Sequence, residues 1–339
     1  MTRFGRAAAL FLAIGLTGLF AGCDDTTESV QTGYRGTGQV QIRSTAAEAA
    51  LKAINVVPEA QPEAAQDGPR AKEVYQNVQV LGDLSEEEFN RTMAAITEWV
   101  SPEQGCEYCH NVENMADDSV YTKIVARRML QMTQHLNADW TAHVGQTGVT
   151  CYTCHRGHPV PQNVWYQNPG PKEAQGMART DTGQNHAAAS VGLTSLPYDP
   201  FTTLFSEPGN IRIASKAALP PGSGKSIQQT EKTYGLMIHM SEGLGVNCTF
   251  CHNSRSFSSW EESAPQRVTA WHGIRMVGDV NANYITPLAS VFPDNRKGPL
   301  GDPYKTNCTT CHQGVNKPLY GAQMLKDYVA SLGGPPKSN

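Results

Sequence analysis

The frame Cys-x-x-Cys-His occurs four times in this 339-residue chain: Cys106/Cys109/His110, Cys151/Cys154/His155, Cys248/Cys251/His252 and Cys308/Cys311/His312. Two cysteines two residues apart present both sulfurs from one short turn, and a histidine directly after them places an imidazole beside the same point. This is the attachment frame of a c-type haem: the sulfurs form thioethers with two vinyl groups and the histidine supplies an axial nitrogen to the iron. A bare CxxC also suits a zinc half-site or a redox dithiol. Neither needs the histidine, and neither predicts four complete copies. The frame therefore predicts four covalently bound haems c, with His110, His155, His252 and His312 as proximal iron ligands. It also bears on the core. Hydrophobic residues make up only 39% of the chain and mean hydropathy is −0.41, so groups other than side chains are expected to fill much of the interior. A net charge of −4 argues against a general nucleic-acid binder.

Eight of the nine cysteines fall in these frames, leaving none for an ordinary disulfide. The ninth, Cys23, closes an N-terminal apolar run over residues 7–21 that follows Arg3 and Arg6. The run is short for a membrane span and suits the apolar region of an export signal. Small residues before Cys23 resemble a bacterial lipoprotein box, in which the cysteine is acylated; Phe20 stands where that box usually has Leu. An ordinary secretory signal and a retained N-terminal helix are the alternatives.

The order of segments follows from composition and periodicity. Residues 1–22 read as a signal peptide and 23–70, rich in Ala, Glu, Thr, Gln and Pro, as a lipid-anchored extended arm. Residues 71–158 and 227–332 each hold two motifs. Residues 159–226, rich in Pro and Gly, read as a linker with short strands, and 333–339 as a tail. The first and third motifs are followed by Asn111 and Asn253. The second and fourth share Cys-x-Thr-Cys-His-x-Gly, through Gly157 and Gly314. The order is thus ABAB, a duplicated two-motif unit. Apolar periodicity predicts helices over about 85–99, 121–136, 227–243 and 265–281. Ser85 and Glu88 form a capping-box pattern, Thr230 marks the start of the third helix, and Pro265 suits the first turn of the fourth. The fold class is mainly α with much irregular structure, a multihaem cytochrome built from two repeated dihaem units.

The sixth iron ligand sets what a haem can do, since Met raises the potential relative to His and an open site admits ligands. Met93 and Met237 stand at matched places on the helices before the A motifs, with Met240 one turn beyond Met237. Met129 stands on the helix before the second motif. For the fourth, the repeat nominates Met276, the partner of Met129, while His143 is a candidate in the loop before Cys151. His135, His158, His186, His239 and His272 read as packed or solvated side chains.

Longer phrases carry a resemblance. Among them are Gln31-Thr32-Gly33-Tyr34-Arg35-Gly36, Val74-Tyr75-Gln76-Asn77-Val78, Arg91-Thr92-Met93, Val125-Ala126-Arg127-Arg128-Met129, Gln146-Thr147-Gly148-Val149-Thr150-Cys151 and Tyr198-Asp199-Pro200-Phe201. The chain resembles the tetrahaem cytochrome subunits of purple-bacterial photosynthetic reaction centres. The resemblance implies sixth ligands Met93, Met129 and Met237 for the first three haems and His143 for the fourth, which makes Met276 a core residue. It implies a nearly linear haem wire, with the third motif nearest the bacteriochlorophyll special pair and the first farthest out. It implies partners in the L and M subunits and in a soluble cytochrome c or high-potential iron–sulfur protein as donor. The place implied is the periplasmic face of the cytoplasmic membrane, and the role is electron transfer rather than catalysis. A multihaem respiratory carrier serving a terminal reductase is the rival reading, and an enzyme with an open iron a second. Residues 81–120 hold ten acidic residues, Glu86, Glu87, Glu88, Glu103, Glu107 and Glu113 among them, against Arg91 as the one Lys or Arg. Around the outer haem such a field would steer a basic soluble cytochrome.

Overall fold

The computed structural model describes residues 26–31, 40–167, 188–206, 211–213 and 224–334. The signal region, Cys23 and His186 lie outside the described residues. The chain divides into two compact units at Ile54/Asn55.

In the first unit, β1 (Thr27–Gln31) pairs antiparallel with β2 (Val40–Ser44), with Thr27 opposite Ser44 and Gln31 opposite Val40. Helix α1 (Thr45–Ile54) follows directly. Five alanines, the best helix formers, favour it, and Arg43 pairs with Glu48 at 3.0 Å beside its first turn. No residue of α1 is buried. This corrects the expectation of an extended arm over 23–70. The shortage of large apolar residues has denied the helix a core, but has not prevented local structure. Residues 55–70 are not free either: the Gln61 amide donates to the Tyr328 hydroxyl at 3.0 Å and the Ala65 amide to Glu87 at 3.1 Å.

The second unit is built on long helices joined by irregular chain. Among the described residues the β1–β2 hairpin is the only sheet. The four predicted helices are α2 (Glu86–Val100), α3 (Tyr121–Asp139), α6 (Ile227–Leu244) and α7 (Gln266–Asp279). Short helices include α4 (Cys151–His155) and α5 (Phe201–Ser206) between α3 and α6, and α8 (Cys308–His312) after α7. Ser85 caps α2 by accepting from the Glu88 amide at 3.2 Å. Glu88 does not complete the reciprocal box; it turns inward and pairs with Arg91 at 3.1 Å, both side chains almost fully buried. Arg91 is satisfied in turn by the carbonyls of Pro62 and Asp327 and lies 4.2 Å over the Tyr328 ring. A buried pair survives only when its remaining donors are used in this way. Helix α6 starts earlier than Thr230 suggests: Ser226 and Gln229 form the capping box, and Gly245 in the left-handed region ends the helix. Pro265 occupies the N-cap position of α7. At its far end α7 loosens into a π turn, Val280–Ile285.

Three apolar clusters hold this unit together. Leu81, Ala95, Trp99, Leu130 and Tyr328 form one, in which Trp99 meets Tyr328 edge-on at 4.7 Å. Leu136, Met276, Val280 and Ile285 form another. The third contains Leu236, Ile274, Val277 and Cys308 together with Trp165, Phe201 and Phe205. Those three rings come from the segment expected to be a linker. Its described parts also hold α5 and a 3-10 turn, Ala189–Val191, but no strand beyond the bridge of Trp165 to Lys305.

Candidate haem-attachment sites

The four CxxCH frames adopt two conformations, alternating along the chain. The first and third are tight 3-10 turns, Gly105–Tyr108 and Cys248–Phe250, in which the histidine amide bonds back to the carbonyl of the first cysteine at 2.9 and 3.0 Å. The asparagine after each has the same task. Asn111 Oδ1 accepts from the Glu113 amide at 3.1 Å and Asn253 Oδ1 from the Arg255 amide at 3.0 Å, folding the next loop back over the motif. The second and fourth frames are one-turn helices, α4 and α8. Before them, the amides of Thr150 and Asn307 each donate to a threonine hydroxyl, Thr153 and Thr310, at 2.9 Å. After them, Arg156 and Gln313 stand at φ 52° and 47° and Gly157 and Gly314 at φ 81° and 83°. Two successive left-handed residues turn the chain sharply, and glycine takes the second at no steric cost.

Both conformations bring a carbonyl back to the histidine. Nδ1 of His110 lies 3.3 Å from the Met115 carbonyl and Nδ1 of His252 lies 2.8 Å from that of Phe257, five residues on. Nδ1 of His155 and His312 lies 2.9 and 3.0 Å from the carbonyls of His158 and Val315, three residues on. A carbonyl at Nδ1 holds the proton there and leaves Nε2 as a neutral metal-binding nitrogen. Burial adds to this, holding His155 and His252 below the usual histidine range and, with the nearby His143, taking His312 down to about 4. The thiols move the other way. Burial pushes Cys151 and Cys308 up to about 12 and Cys251 to about 11, whereas a redox dithiol needs a lowered thiol. Among the described residues no three His, Cys, Asp or Glu side chains converge on a metal-ion site.

The second and fourth motifs meet. Cys154 and Cys311 form a disulfide across 157 residues, with Cα atoms 4.5 Å apart, and Arg156 Nη2 lies 3.5 Å from the Cys311 carbonyl. A sulfur so engaged has no bond for a vinyl carbon, so the disulfide and a thioether are alternative states of these two cysteines. The other six motif cysteines form no disulfide.

The predicted sixth ligands fall on the helices expected. Met93 on α2 packs beside the Trp99 cluster and Met129 on α3 beside the Leu136 cluster. Each has a threonine four residues on, Thr97 and Thr133, whose hydroxyl donates to the methionine carbonyl at 2.9 Å. Met237 and Met240 both line a cavity of about 1570 Å³ that also contains Cys248, Cys251 and His252. An ordinary ligand pocket holds roughly 300–1,000 Å³, so this space accepts a porphyrin at the third motif. For the fourth motif the two candidates stand in different surroundings. The ring of His143, in the one-turn helix Thr141–Val144, lies 6.0 Å from that of His312, centroid to centroid, at 68°. Two imidazoles on opposite sides of one metal, each nitrogen about 2 Å from it, have centroids roughly 6 Å apart. The His143 Nδ1 is taken by the Thr269 carbonyl at 2.9 Å. Met276 is buried in the Leu136 cluster.

Two residues that matter here carry no motif. A Cβ at Gly273 would lie 2.5 Å from His143 Cε1. In the repeat Gly273 corresponds to Ala126, so the departure from the repeat makes the space for the ring. Lys123, in the first turn of α3, is almost fully buried beneath the loop after the first motif. Of the other described histidines, His239 is buried with Nδ1 on the Ser190 carbonyl, His135 bonds to Asp139 and Asp279, and His158 is exposed.

Known proteins share this arrangement of sequence. The family model for the photosynthetic reaction centre cytochrome c subunit matches residues 24–331. The photosynthetic reaction center cytochrome c subunit of Rubrivivax gelatinosus is 56% identical over 95% of this chain and 88% of its own length. That of Thermochromatium tepidum is 51% identical over 91% and 76%. That of Roseobacter denitrificans is 40% identical over 89% and 85%.

Proposed function

The chain belongs to the family of photosynthetic reaction centre cytochrome c subunits, membrane-associated haem c proteins that carry electrons in photosynthesis, and from that premise we propose that it binds four haems in two repeated pairs and passes electrons from a soluble periplasmic donor to the photo-oxidised bacteriochlorophyll pair. The observation that carries this reading is the alternation of motif conformation. Four histidines are each tied at Nδ1 to a carbonyl, five residues on in the first and third motifs and three on in the second and fourth. Contact between equivalent residues Cys154 and Cys311 is what a local two-fold relation between the halves would produce. It also favours a wire in which the second and fourth haems are the inner pair.

Bound haem supplies one-electron iron chemistry, and the chain sets its terms. His110, His155, His252 and His312 are the proximal ligands, with Met93, Met129, Met237 and His143 opposite them. All eight motif cysteines carry thioethers in this form. Acylated Cys23 would hold the subunit at the periplasmic face; among the described residues no helix is long and apolar enough to cross a membrane. The L and M subunits would be the membrane partners.

The acidic region around the first motif supports a basic donor in a narrower form than its sequence suggests. Glu88 is committed to Arg91, Asp83 to Lys72, and Asp118 to Lys123 and Arg127. Glu103, Glu107 and Glu113 are exposed around Cys106 and free to steer a partner. The test is flash-induced re-reduction in membranes with a soluble cytochrome c. Four haems per chain by mass, and a re-reduction rate that falls with salt and with Glu103→Gln/Glu107→Gln/Glu113→Gln, are expected. Fewer haems would sink the first part, and a rate indifferent to both changes the second.

A further inference from the structure

The loop after the first motif is built around one buried cation. Lys123 Nζ donates to the carbonyls of Met115 and Asp117, both at 2.8 Å, and lies 3.1 Å from Asp118 Oδ1. Arg127 at 2.9 Å and Asn77 at 3.0 Å hold the rest of the Asp118 carboxylate. The Met115 carbonyl is also the acceptor at His110 Nδ1. One oxygen therefore serves both the imidazole and an ammonium.

That sharing coincides with the longest of the four histidine–carbonyl distances: 3.3 Å at His110 against 2.9, 2.8 and 3.0 Å at His155, His252 and His312. The third motif is the natural control. It has the same 3-10 turn, the same asparagine and a basic residue, Arg267, in the first turn of the following helix. Arg267 reaches the carbonyls of Ser258 and Ser259. The Phe257 carbonyl, which accepts from His252, is not among them.

We propose that Lys123 is a positioning residue that raises the reduction potential of the first haem by drawing on the carbonyl that accepts from His110. The inference rests on the reading of His110 as an iron ligand. A strong bond at Nδ1–H makes an imidazole a better electron donor through Nε2 and favours the oxidised metal. A charged donor on the same carbonyl takes part of its acceptor strength and weakens that bond. The buried positive charge acts in the same direction, because it opposes the additional charge of oxidised iron. Asp118 offsets part of that charge, and Arg127 in turn offsets part of Asp118.

The experiment is a potentiometric titration of the assembled complex carrying Lys123→Met, Lys123→Arg or Asp118→Asn, with Met93→His used to mark which component belongs to the first motif. Lys123→Met should lower that component alone by tenfold or more in its reduction equilibrium, about 59 mV for a one-electron couple. Lys123→Arg should retain most of the original value, and Asp118→Asn should raise it. No shift in Lys123→Met, a shift common to all four components, or an equal fall in Lys123→Arg overturns the proposal. Where Lys123→Met does not assemble, Asp118→Asn decides: a rise supports it and no rise overturns it. A chain short of one haem by mass fails the four-haem reading and this one together; a full complement without a shift fails this one alone.

Discussion

Helices α3 and α7 occupy corresponding places in the two halves of the sequence, and they do different work. On α3, Met129 sits partly buried at the edge of the Leu136 cluster; on α7, its counterpart Met276 is buried inside that same cluster. Where α3 has Ala126, α7 has Gly273, and the ring of His143 rests against the space a Cβ would fill. A repeated helix has kept its amphipathic pattern while its methionine moved from candidate ligand to core. On the proposed assignment the ligand role falls to a histidine from the other half of the chain. Periodicity fixes which face of a helix is buried. It does not decide which buried side chain reaches a metal.

The comparison can be broken most sharply at the ligands. Met129→Leu and His143→Ala should each convert one haem of the set from six- to five-coordinate, seen as a high-spin component that binds carbon monoxide when reduced. Met276→Leu should leave every haem low-spin, and a new high-spin signal in that variant would reinstate Met276. Next in size is Met276→Ala, where a buried thioether side chain leaves a cavity; a loss of about 2–5 kcal/mol is expected from denaturant titration, with the haem spectra unchanged. Gly273→Ala should cost about 1–3 kcal/mol through overpacking against His143 and perturb the same haem as His143→Ala. The reverse exchange, Ala126→Gly, should cost only the helix-propensity difference, about 0.8–1 kcal/mol, and perturb no haem. Equal effects of the two exchanges would dissolve the distinction between the helices.

The smallest effect concerns the cluster that joins them. Asp279 on α7 accepts from His135 Nε2 at 2.7 Å and from Trp140 Nε1 at 2.8 Å. Burial works against its ionisation, but the bonds from Asn283, His135 and Trp140 outweigh burial and hold the carboxyl below the usual range. A depressed carboxylate contributes stability above the unfolded value of about 3.9 and loses it as pH falls through the folded value. Asp279→Asn should therefore narrow the stability difference between pH 6 and pH 3 by on the order of 1 kcal/mol, after allowance for solvent screening. An unchanged acid limb would show that the cluster does not couple the helices.

Much of this was legible in the sequence because it is local. The four long helices follow from apolar period, and the two motif conformations follow from short-range chemistry. Asn after the A frames forms an Asx turn, and Gly after the B frames takes a left-handed turn. The rest depends on partners far along the chain. Trp165, Phe201 and Phe205 lie in a Pro- and Gly-rich stretch whose composition hides that their rings enter a core. Glu88 reads as half of a capping box until Arg91 and the Asp327 carbonyl are seen beside it. Lys123 is one basic residue at the head of a helix, and no pattern within the motif announces that it shares a carbonyl with His110.

The meeting of Cys154 with Cys311 bears on biogenesis. Each thiol is the other's nearest competitor for oxidation, and the two come together only when the chain around α4 packs against that around α8. A chain that docks these segments first, in an oxidising compartment, closes both sulfurs to the thioethers proposed for them. With haems at the proposed sites, maturation would have to load the second and fourth motifs before the two segments close on each other, or keep that pair reduced until loading is done.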